Sequence, residues 1–442
     1  MRTLSSRPSS AARLLSGTAL ALTLAATGAG CSAPPEEQQS SSSATGAAPE
    51  PQNAEASEHG SSAPGTHESG SADPPAPSSS RDATDTTEPN FPMRKLKPGE
   101  TPPQFILFSF DGGGMHERWD SFLAAAEETD SRFTVYLAGL FLVELENREA
   151  YQGPAHAPGE SDNDFAPDVE FVSTMIDDLN RAHRGGHEIG THYNGHFCSV
   201  DAYGIDQWTT QDWVEEMEIF HRIVDDPETF NGYPEGTLPE LELEPEDIVG
   251  TRTPCLQGRW DQMTPMWKEA GITYDTSQTS QRGVGLQWPY VKDGIWEFEM
   301  QTVNSPAFSG PDSLARPGDD SPAVTAMDYS FWAKTNNLKD EPADAPRLKQ
   351  ATLETYRYMY DSAFAGNRAP LVIGNHFNDW SGNAFNSATE EFMRETCGEP
   401  DTHCVTYKDL IEWLELQDPE VLSSWQEQEP SGLGDDVAEL GY

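Results

Sequence analysis

The chain has 442 residues, and its 74 acidic against 27 basic side chains give a formal net charge of −47. Binding to nucleic acid depends on Lys and Arg contacts to phosphate, so this composition excludes a typical nucleic-acid partner. An acidic surface favours solubility and favours neutral or cationic partners over anionic ones.

The first thirty residues have the pattern of an export signal. A basic stretch up to Arg13 is followed by an apolar run, Leu14 to Ala26, that is too short to span a bilayer, and then by small residues up to Cys31. The end of this segment, TGAGC, resembles the lipobox of bacterial lipoproteins, in which the cysteine is acylated. We therefore predict a signal peptide over residues 1–30, lipidation at Cys31 and an exported protein anchored to a membrane of the cell envelope. Plain secretion and a buried structural cysteine remain the alternatives.

Composition divides the rest of the chain. Residues 31–100 are rich in Ser, Pro, Ala, Gly and Glu and poor in large apolar side chains, which predicts a disordered tether. Residues 101–425 have the composition of a folded domain, and we expect residues 426–442 to form an acidic disordered tail.

Strand-like and helix-like runs alternate from Pro102 onward. The predicted strands are 105–110, 133–137, 187–192, 248–250, 272–274 and 371–374, and the predicted helices are 118–128, 171–183, 209–224, 260–270 and 407–416. This alternation favours a parallel sheet, open or closed into a barrel, with the residues that follow the strands gathered on one face. Three polar or Pro-rich stretches, 144–168, 227–247 and 304–347, look like long loop insertions that could wall a groove.

Residues with chemical capability follow four of these strands. They are Asp111 in SFDGGG, His192 and His196 in THYNGH, Arg252 in TRTP and His376 in GNHF. Each motif alone is common by chance, and histidines or arginines at such places are most often structural or solvated. Together they supply the groups needed for metal-assisted hydrolysis of an amide or ester.

The role of each group follows from its chemistry. Two imidazoles from one turn can hold a divalent cation and leave positions open for water. Asp111 could take a proton from that water, and Arg252 could keep the carboxylate ionised and correctly oriented. His376 could protonate the departing amine.

These motifs, in this order, resemble those of the polysaccharide deacetylases, carbohydrate esterase family four or the NodB-homology family. The resemblance extends over residues 104–416, and GHEIGTHYNGHF followed by VGTRTPCL looks most like the chitin-deacetylase branch. It implies an α/β fold built as a distorted barrel of about seven parallel strands, a polysaccharide substrate, a divalent metal such as zinc, and removal of N-acetyl or O-acetyl groups. We expect a monomer.

Carried over by position, the resemblance makes His192 and His196 metal ligands, Asp111 the base, Arg252 its orienting partner and His376 the general acid. The segment MDYSFW around Asp328 is a weak match for the one that tunes this acid.

The second aspartate of the family's first motif, normally a metal ligand, falls on Gly112. In one interpretation Asp111 itself becomes the third metal ligand, and another acid or a metal hydroxide acts as base. In the other, the domain is a non-catalytic glycan-binding lipoprotein on the same fold. We favour the enzyme, and a third possibility is an esterase or amidase acting on small molecules.

Besides Cys31, the cysteines are Cys198, Cys255, Cys397 and Cys404, and four cysteines allow three pairings. Cys397 and Cys404 could close a small loop, in which case Cys198 must meet Cys255. Four free buried thiols are the alternative, which is less expected after export.

Three aromatic residues, Trp288, Tyr290 and Trp296, lie in QWPYVKDGIWEF. Flat apolar rings can stack on pyranosides, so Trp288 and Trp296 are candidates for sugar binding. A place in the core is the alternative that we favour.

Overall fold

The computed structural model describes residues 88–434 and 440–441. The predicted signal peptide, Cys31 and the tether up to residue 87 lie outside the described residues. Within the described ranges, no helix combines the length and the apolar character needed to cross a membrane.

Eleven strands and ten α-helices alternate along the described chain. The strands are β1 (Gln104–Gly112), β2 (Thr134–Leu137), β3 (Glu188–Thr191), β4 (Gly250–Thr251), β5 (Tyr274–Asp275), β6 (Tyr290–Lys292), β7 (Ile295–Glu297), β8 (Thr302–Asn304), β9 (Ala323–Thr325), β10 (Leu371–His376) and β11 (Thr402–Cys404). The helices are α1 (His116–Thr129), α2 (Val169–Arg184), α3 (Thr210–Asp225), α4 (Pro227–Asn231), α5 (Trp260–Glu269), α6 (Asp328–Asn336), α7 (Ala345–Ala365), α8 (Trp380–Thr396), α9 (Tyr407–Leu416) and α10 (Pro419–Gln426).

The main sheet runs in the order β10-β1-β2-β3-β4-β5-β7-β6, and β11 also pairs with β1. Every neighbouring pair from β10 to β7 is parallel, and only the edge strand β6 is antiparallel. This path contains seven parallel strands, and β11 adds an eighth beside β1. The structure therefore confirms the predicted α/β class and a count of about seven parallel strands.

A two-stranded ribbon, β8 with β9, closes the gap between the ends of this sheet. On one side the chain just before β8 bridges to the chain after β5 through Met300 and Thr279. On the other side Met327, just after β9, bridges to Gly374 in β10. Through these short contacts the curled sheet forms a distorted barrel, as the family resemblance implied.

All three predicted insertions contain short regular elements. The stretch 144–168 contains a 3₁₀ helix, Leu145–Ala150, the stretch 227–247 begins with α4, and the stretch 304–347 contains β9 and α6. These elements were not predicted, because Pro, Ser and Asp dominate the flanks and the stability of such short elements comes from packing rather than from local propensity.

The folded region is longer than the predicted domain at both ends. Phe91 and Leu96, which fall in the predicted tether, are buried in the core. In the predicted tail, Ser431 forms an antiparallel bridge with Leu286, and the Gly434 N–H donates to the Tyr358 hydroxyl at 2.8 Å. The folded region therefore extends beyond residues 101–425 at both ends. Single apolar or hydrogen-bonding residues within these polar segments hold each end against the rest of the fold.

Two carboxyl groups face each other on adjacent strands of the sheet. Asp275 in β5 and Glu297 in β7 are register partners, and both are fully buried. Neither oxygen of Glu297 makes a hydrogen bond of normal geometry. Burial raises the pKa of Glu297 well above its usual range, the charges of Asp275 and Glu299 raise it further, and Lys292 and the Gln278 N–H only partly offset this.

We predict that Glu297→Gln stabilises the protein at alkaline pH. A carboxyl whose pKa is raised by folding favours the native state when protonated, so its contribution is lost as pH rises above ~4.3, the pKa of an unfolded glutamate. The variant should gain about 2 kcal/mol in the free energy of unfolding at pH 8 and much less at pH 4, measured by urea denaturation.

The matched control is Glu412→Gln, on the exposed face of α9, which should change stability by less than about 0.5 kcal/mol at either pH. Equal effects of Glu297→Gln at pH 4 and pH 8 would show that the pKa of Glu297 is the same in the folded and unfolded states.

Candidate active site

The predicted site residues meet at the carboxyl ends of the parallel strands. Asp111 in β1 is the register partner of His376 in β10. Both line a cleft of about 780 Å³, together with His192 and His196 from the loop after β3. Arg252, just after β4, lies behind the cleft and is fully buried.

The charge pair between Asp111 and Arg252 is at the base of this cleft. The Arg252 Nη1 donates to Asp111 Oδ1 at 2.7 Å, and both side chains are buried. Burial alone would raise the pKa of Asp111, but the Arg252 guanidinium and the His192 and His376 imidazoles hold it below its usual value. The carboxylate is therefore ionised at neutral pH and has one oxygen fixed in place.

The barrel interior holds the Arg252 guanidinium in a single position. Its Nη2 donates to Ser109 Oγ at 2.8 Å and to the Tyr407 hydroxyl at 3.3 Å. Its Nε donates to the Thr276 carbonyl at 3.3 Å, and its Cζ lies 4.6 Å from the centre of the Tyr136 ring. Arg252 therefore positions Asp111 and does not itself face the cleft.

The two histidines of THYNGH are neutral and close together. The His192 Nδ1 lies 2.7 Å from the Arg252 carbonyl, which can only accept, so Nδ1 carries the proton and Nε2 keeps its lone pair. Burial lowers the pKa of His192 and lowers that of His196 to about 3. The ring centres are 5.3 Å apart. Neutral imidazoles of fixed tautomer are the form that binds metal.

The donor types of His192, His196 and Asp111 suit a divalent cation such as zinc. In the described residues, however, the ligand atoms of these three are not all within 4.8 Å of one another. The site is therefore a pair of imidazoles with Asp111 beside it, and not a closed three-ligand cage.

Two other clusters of potential ligands are closer together, and neither is a better metal site. One combines His196 with Cys198 and Cys255, whose sulfur atoms are joined in a disulfide. The other combines His116, Asp120 and Asp178, and Arg181 already pairs with both of its carboxylates, at 2.7 and 3.0 Å.

The turn that carries the two histidines is strained and is held by a buried acid. Tyr193 and His196 have φ of 59° and 55°, in the left-handed region. Glu216 Oε1 on α3 accepts from the backbone N–H groups of Asn194 and Gly195, each at 3.0 Å. Sequence reasoning missed Glu216, although a glutamate within the apolar stripe of a helix was a usable signal.

A disulfide joins Cys198 to Cys255 and so ties the histidine turn to the loop that follows Arg252. A second disulfide joins Cys397 to Cys404, at the end of α8 and in β11. Of the three pairings allowed by the sequence, this is the one in which the close pair closes the small loop.

His376 is held by an acid from α6. Asp328 Oδ2 accepts from the His376 backbone N–H at 2.6 Å, and Oδ1 lies 2.8 Å from Nδ1. Burial would lower the pKa of His376, but the Asp328 charge and hydrogen bond, together with Asp111, raise it above its usual value. The weak sequence match at Asp328 therefore marks a real partner of His376.

The glycines after Asp111 make room for an aromatic ring. Gly112 has φ of +82°, and a Cβ there would lie 3.2 Å from Phe141 Cε2. A Cβ at Gly114 would lie 2.9 Å from the same ring. An aspartate at position 112 would be strained and would meet Phe141, so this corner of the cleft is apolar where the family pattern has a carboxylate.

The structure places Trp288 and Trp296 in the core, the alternative favoured from the sequence, and contradicts their candidate role in sugar stacking. Trp288 is 1% exposed, stacks on Trp425 and donates to the Asn367 carbonyl. Trp296 is 7% exposed and donates to Glu415. Both serve the core, because a large flat ring gains more from burial than from a solvent-facing position.

We predict that Glu216→Gln loosens the histidine turn. An amide accepts hydrogen bonds from Asn194 and Gly195 less strongly than a carboxylate does, so amide hydrogen exchange at these two positions should accelerate about tenfold. Glu218→Gln, at an exposed position of the same helix, is the control and should leave this exchange unchanged. Unchanged exchange in Glu216→Gln would mean that the conformation of the turn does not depend on the Glu216 carboxylate.

No family model matches the sequence, and no curated protein matches it. Solved structures with a similar arrangement include a protein described as a polysaccharide deacetylase from Mycobacterium smegmatis (16% identity, TM-score 0.40, covering 77% of this chain and 98% of that one). Others are a peptidoglycan deacetylase from Bacillus subtilis (12%, 0.33, 72% and 94%) and a family 4 carbohydrate esterase pseudoenzyme from Bacillus anthracis (8%, 0.36, 74% and 71%). Because these TM-scores lie below 0.5, the fold of this chain rests on its own strand order and registers.

Proposed function

We propose that the protein is an exported, metal-dependent hydrolase of the polysaccharide-deacetylase type, which removes acetyl groups from a chitin-like or peptidoglycan-like polymer. One observation carries the proposal: a single cleft contains an ionised carboxylate fixed by a buried arginine, two neutral imidazoles and a third imidazole paired with an acid. These are the parts that hydrolysis of an acetamide requires.

The metal would be held by His192 and His196, with Asp111 beside them. When bound, it would supply Lewis-acid polarisation of the acyl carbonyl and of a water molecule. Asp111 accepts a proton from the attacking water as the new C–O bond forms. His376, protonated and held at Nδ1 by Asp328, gives a proton from Nε2 to the nitrogen as the C–N bond breaks. The products are acetate and a free amine, or an alcohol if the substrate is an ester.

Arg252 and Asp328 act through their partners. Arg252 keeps Asp111 ionised and aimed, and Asp328 keeps His376 in the tautomer and orientation needed to donate. Neither needs to touch the substrate.

The principal alternative is a glycan-binding protein without activity. It is favoured by Gly112 and Phe141, which replace a carboxylate with an aromatic ring, and by the ligand atoms that do not close around a common point. A small-molecule esterase or amidase would instead hydrolyse acetyl esters and leave polymers intact.

We also propose that Cys31 is acylated and anchors the protein to a membrane of the cell envelope, with residues up to 87 as a spacer. In the natural host, Cys31→Ala should move the protein from the membrane to the soluble fraction. Retention of the variant on the membrane would point to another attachment.

We predict that His196→Ala abolishes metal binding, because one imidazole with Asp111 cannot hold a divalent cation tightly. Bound zinc should be measured by elemental analysis after exposure to micromolar metal. Stoichiometric metal in this variant would place the ligands elsewhere.

We predict that His376→Ala lowers kcat for acetate release about 10²- to 10⁴-fold and leaves the metal content unchanged, since His376 transfers a proton and is not expected to be a ligand. Chitin oligomers, peptidoglycan and acetylated xylan are the substrates to assay. If the wild-type chain neither binds metal nor releases acetate from any of them, the enzyme proposal fails and glycan binding remains.

A further inference from the structure

The lining of the cleft includes six apolar residues that we call together the apolar wall: Met115, Phe141, Leu145, Phe165, Pro167 and Phe171. Four polar residues, Arg148, Ser161, Asn163 and Asp164, line the same cleft. The side chains of Phe141 and Phe171 contact each other edge to face, with ring centres 6.3 Å apart. None of the six side chains can donate or accept a conventional hydrogen bond.

The apolar wall is accessible to solvent. Leu145 is 45% exposed, and Pro167 is exposed as well. Met115 and the three phenylalanines are only partly buried. An exposed apolar surface inside a cleft costs free energy unless a ligand covers it, so it indicates a ligand with an apolar part.

The wall begins at the reacting groups. The Phe141 ring packs against the bare backbone of Gly112 and Gly114, and Gly112 directly follows Asp111. A carbonyl held between Asp111 and His376 therefore has apolar surface next to it on the side of the glycines. Phe141 takes the space that a carboxylate at position 112 would need and lines it with carbon.

We propose that this enzyme also removes acyl groups longer than acetyl, and that their alkyl chain lies along the apolar wall. This inference rests on the proposed function, because it concerns the same site and the same bond. A sugar ring can stack on one aromatic face, whereas an alkyl chain can cover aliphatic and aromatic members of the wall alike without leaving hydroxyl groups desolvated. An uncharged alkyl chain is also compatible with a protein of net charge −47.

The expected effect follows from the transfer of methylene groups out of water. Full burial of one methylene is worth about a fourfold gain in affinity, and a half-open wall should give about twofold. N-hexanoylglucosamine has four more methylenes than N-acetylglucosamine and should bind about fifteenfold more tightly.

The test compares these two ligands by isothermal titration calorimetry on the full folded domain, with hydrolysis of each followed in parallel by release of the free amine. Tighter binding of the hexanoyl ligand, with kcat/KM at least equal to that for the acetyl ligand, supports the inference. Equal or weaker binding of the hexanoyl ligand overturns it.

Two matched variants locate the effect. Leu145→Asp puts a charge on the wall and should reduce the hexanoyl-to-acetyl affinity ratio about tenfold. Val291→Asp makes the same change at a 52% exposed position on β6, outside the cleft, and should leave the ratio unchanged. An unchanged ratio in Leu145→Asp overturns the inference.

The same measurements can reject the proposed function and the apolar-wall proposal independently of each other. Hydrolysis of the acetyl ligand alone, without a binding preference for the longer chain, leaves a deacetylase and removes the apolar-wall proposal. A clear binding preference without hydrolysis of either ligand supports the wall and rejects the enzyme.

Discussion

The buried ion pair between Arg252 and Asp111 is the interaction on which the site depends. Burying two opposite charges costs desolvation free energy unless each group also makes its hydrogen bonds. In the barrel interior, Ser109, Tyr407 and Thr276 supply the remaining acceptors for the Arg252 guanidinium. The Arg252 carbonyl also fixes the tautomer of His192. One residue therefore sets the charge of the carboxylate and the metal-binding form of an imidazole, so removing it would disturb both at once.

The loops above this pair are held by different means. Glu216 satisfies two N–H groups of the strained histidine turn, and the Cys198–Cys255 disulfide ties that turn to the loop after Arg252. Phe141 fills the space beside the glycines of β1. Each of these contacts supports one of the segments that carry the site residues, which is how a rigid scaffold preorganises side chains.

The sequence was informative where function depends on a residue at the end of a strand. Alternating strand and helix runs predicted a parallel sheet, the family resemblance implied a barrel, and the polar residues that follow the strands predicted one site. The structure brings Asp111, His192, His196 and His376 to one cleft, with Arg252 buried behind it. It was uninformative where a role depends on packing between distant segments. Glu216 and Phe141 were missed because their contacts lie in other segments of the chain, while Trp288 and Trp296 are buried as the favoured alternative predicted. The short strand β9 and helix α6 were missed because their stability comes from tertiary contacts.

The ribbon that closes the barrel has a consequence for the order of assembly. Met327 bridges to β10 immediately before Asp328, the acid that holds His376, 48 residues further along the chain. Formation of this bridge and placement of the Asp328 carboxylate against His376 are therefore coupled. A chain in which β9 has not reached β10 would contain the histidine turn but would lack the partner that fixes His376. Under the proposed function, hydrolysis therefore requires the complete barrel and not only the strands that carry the other site residues.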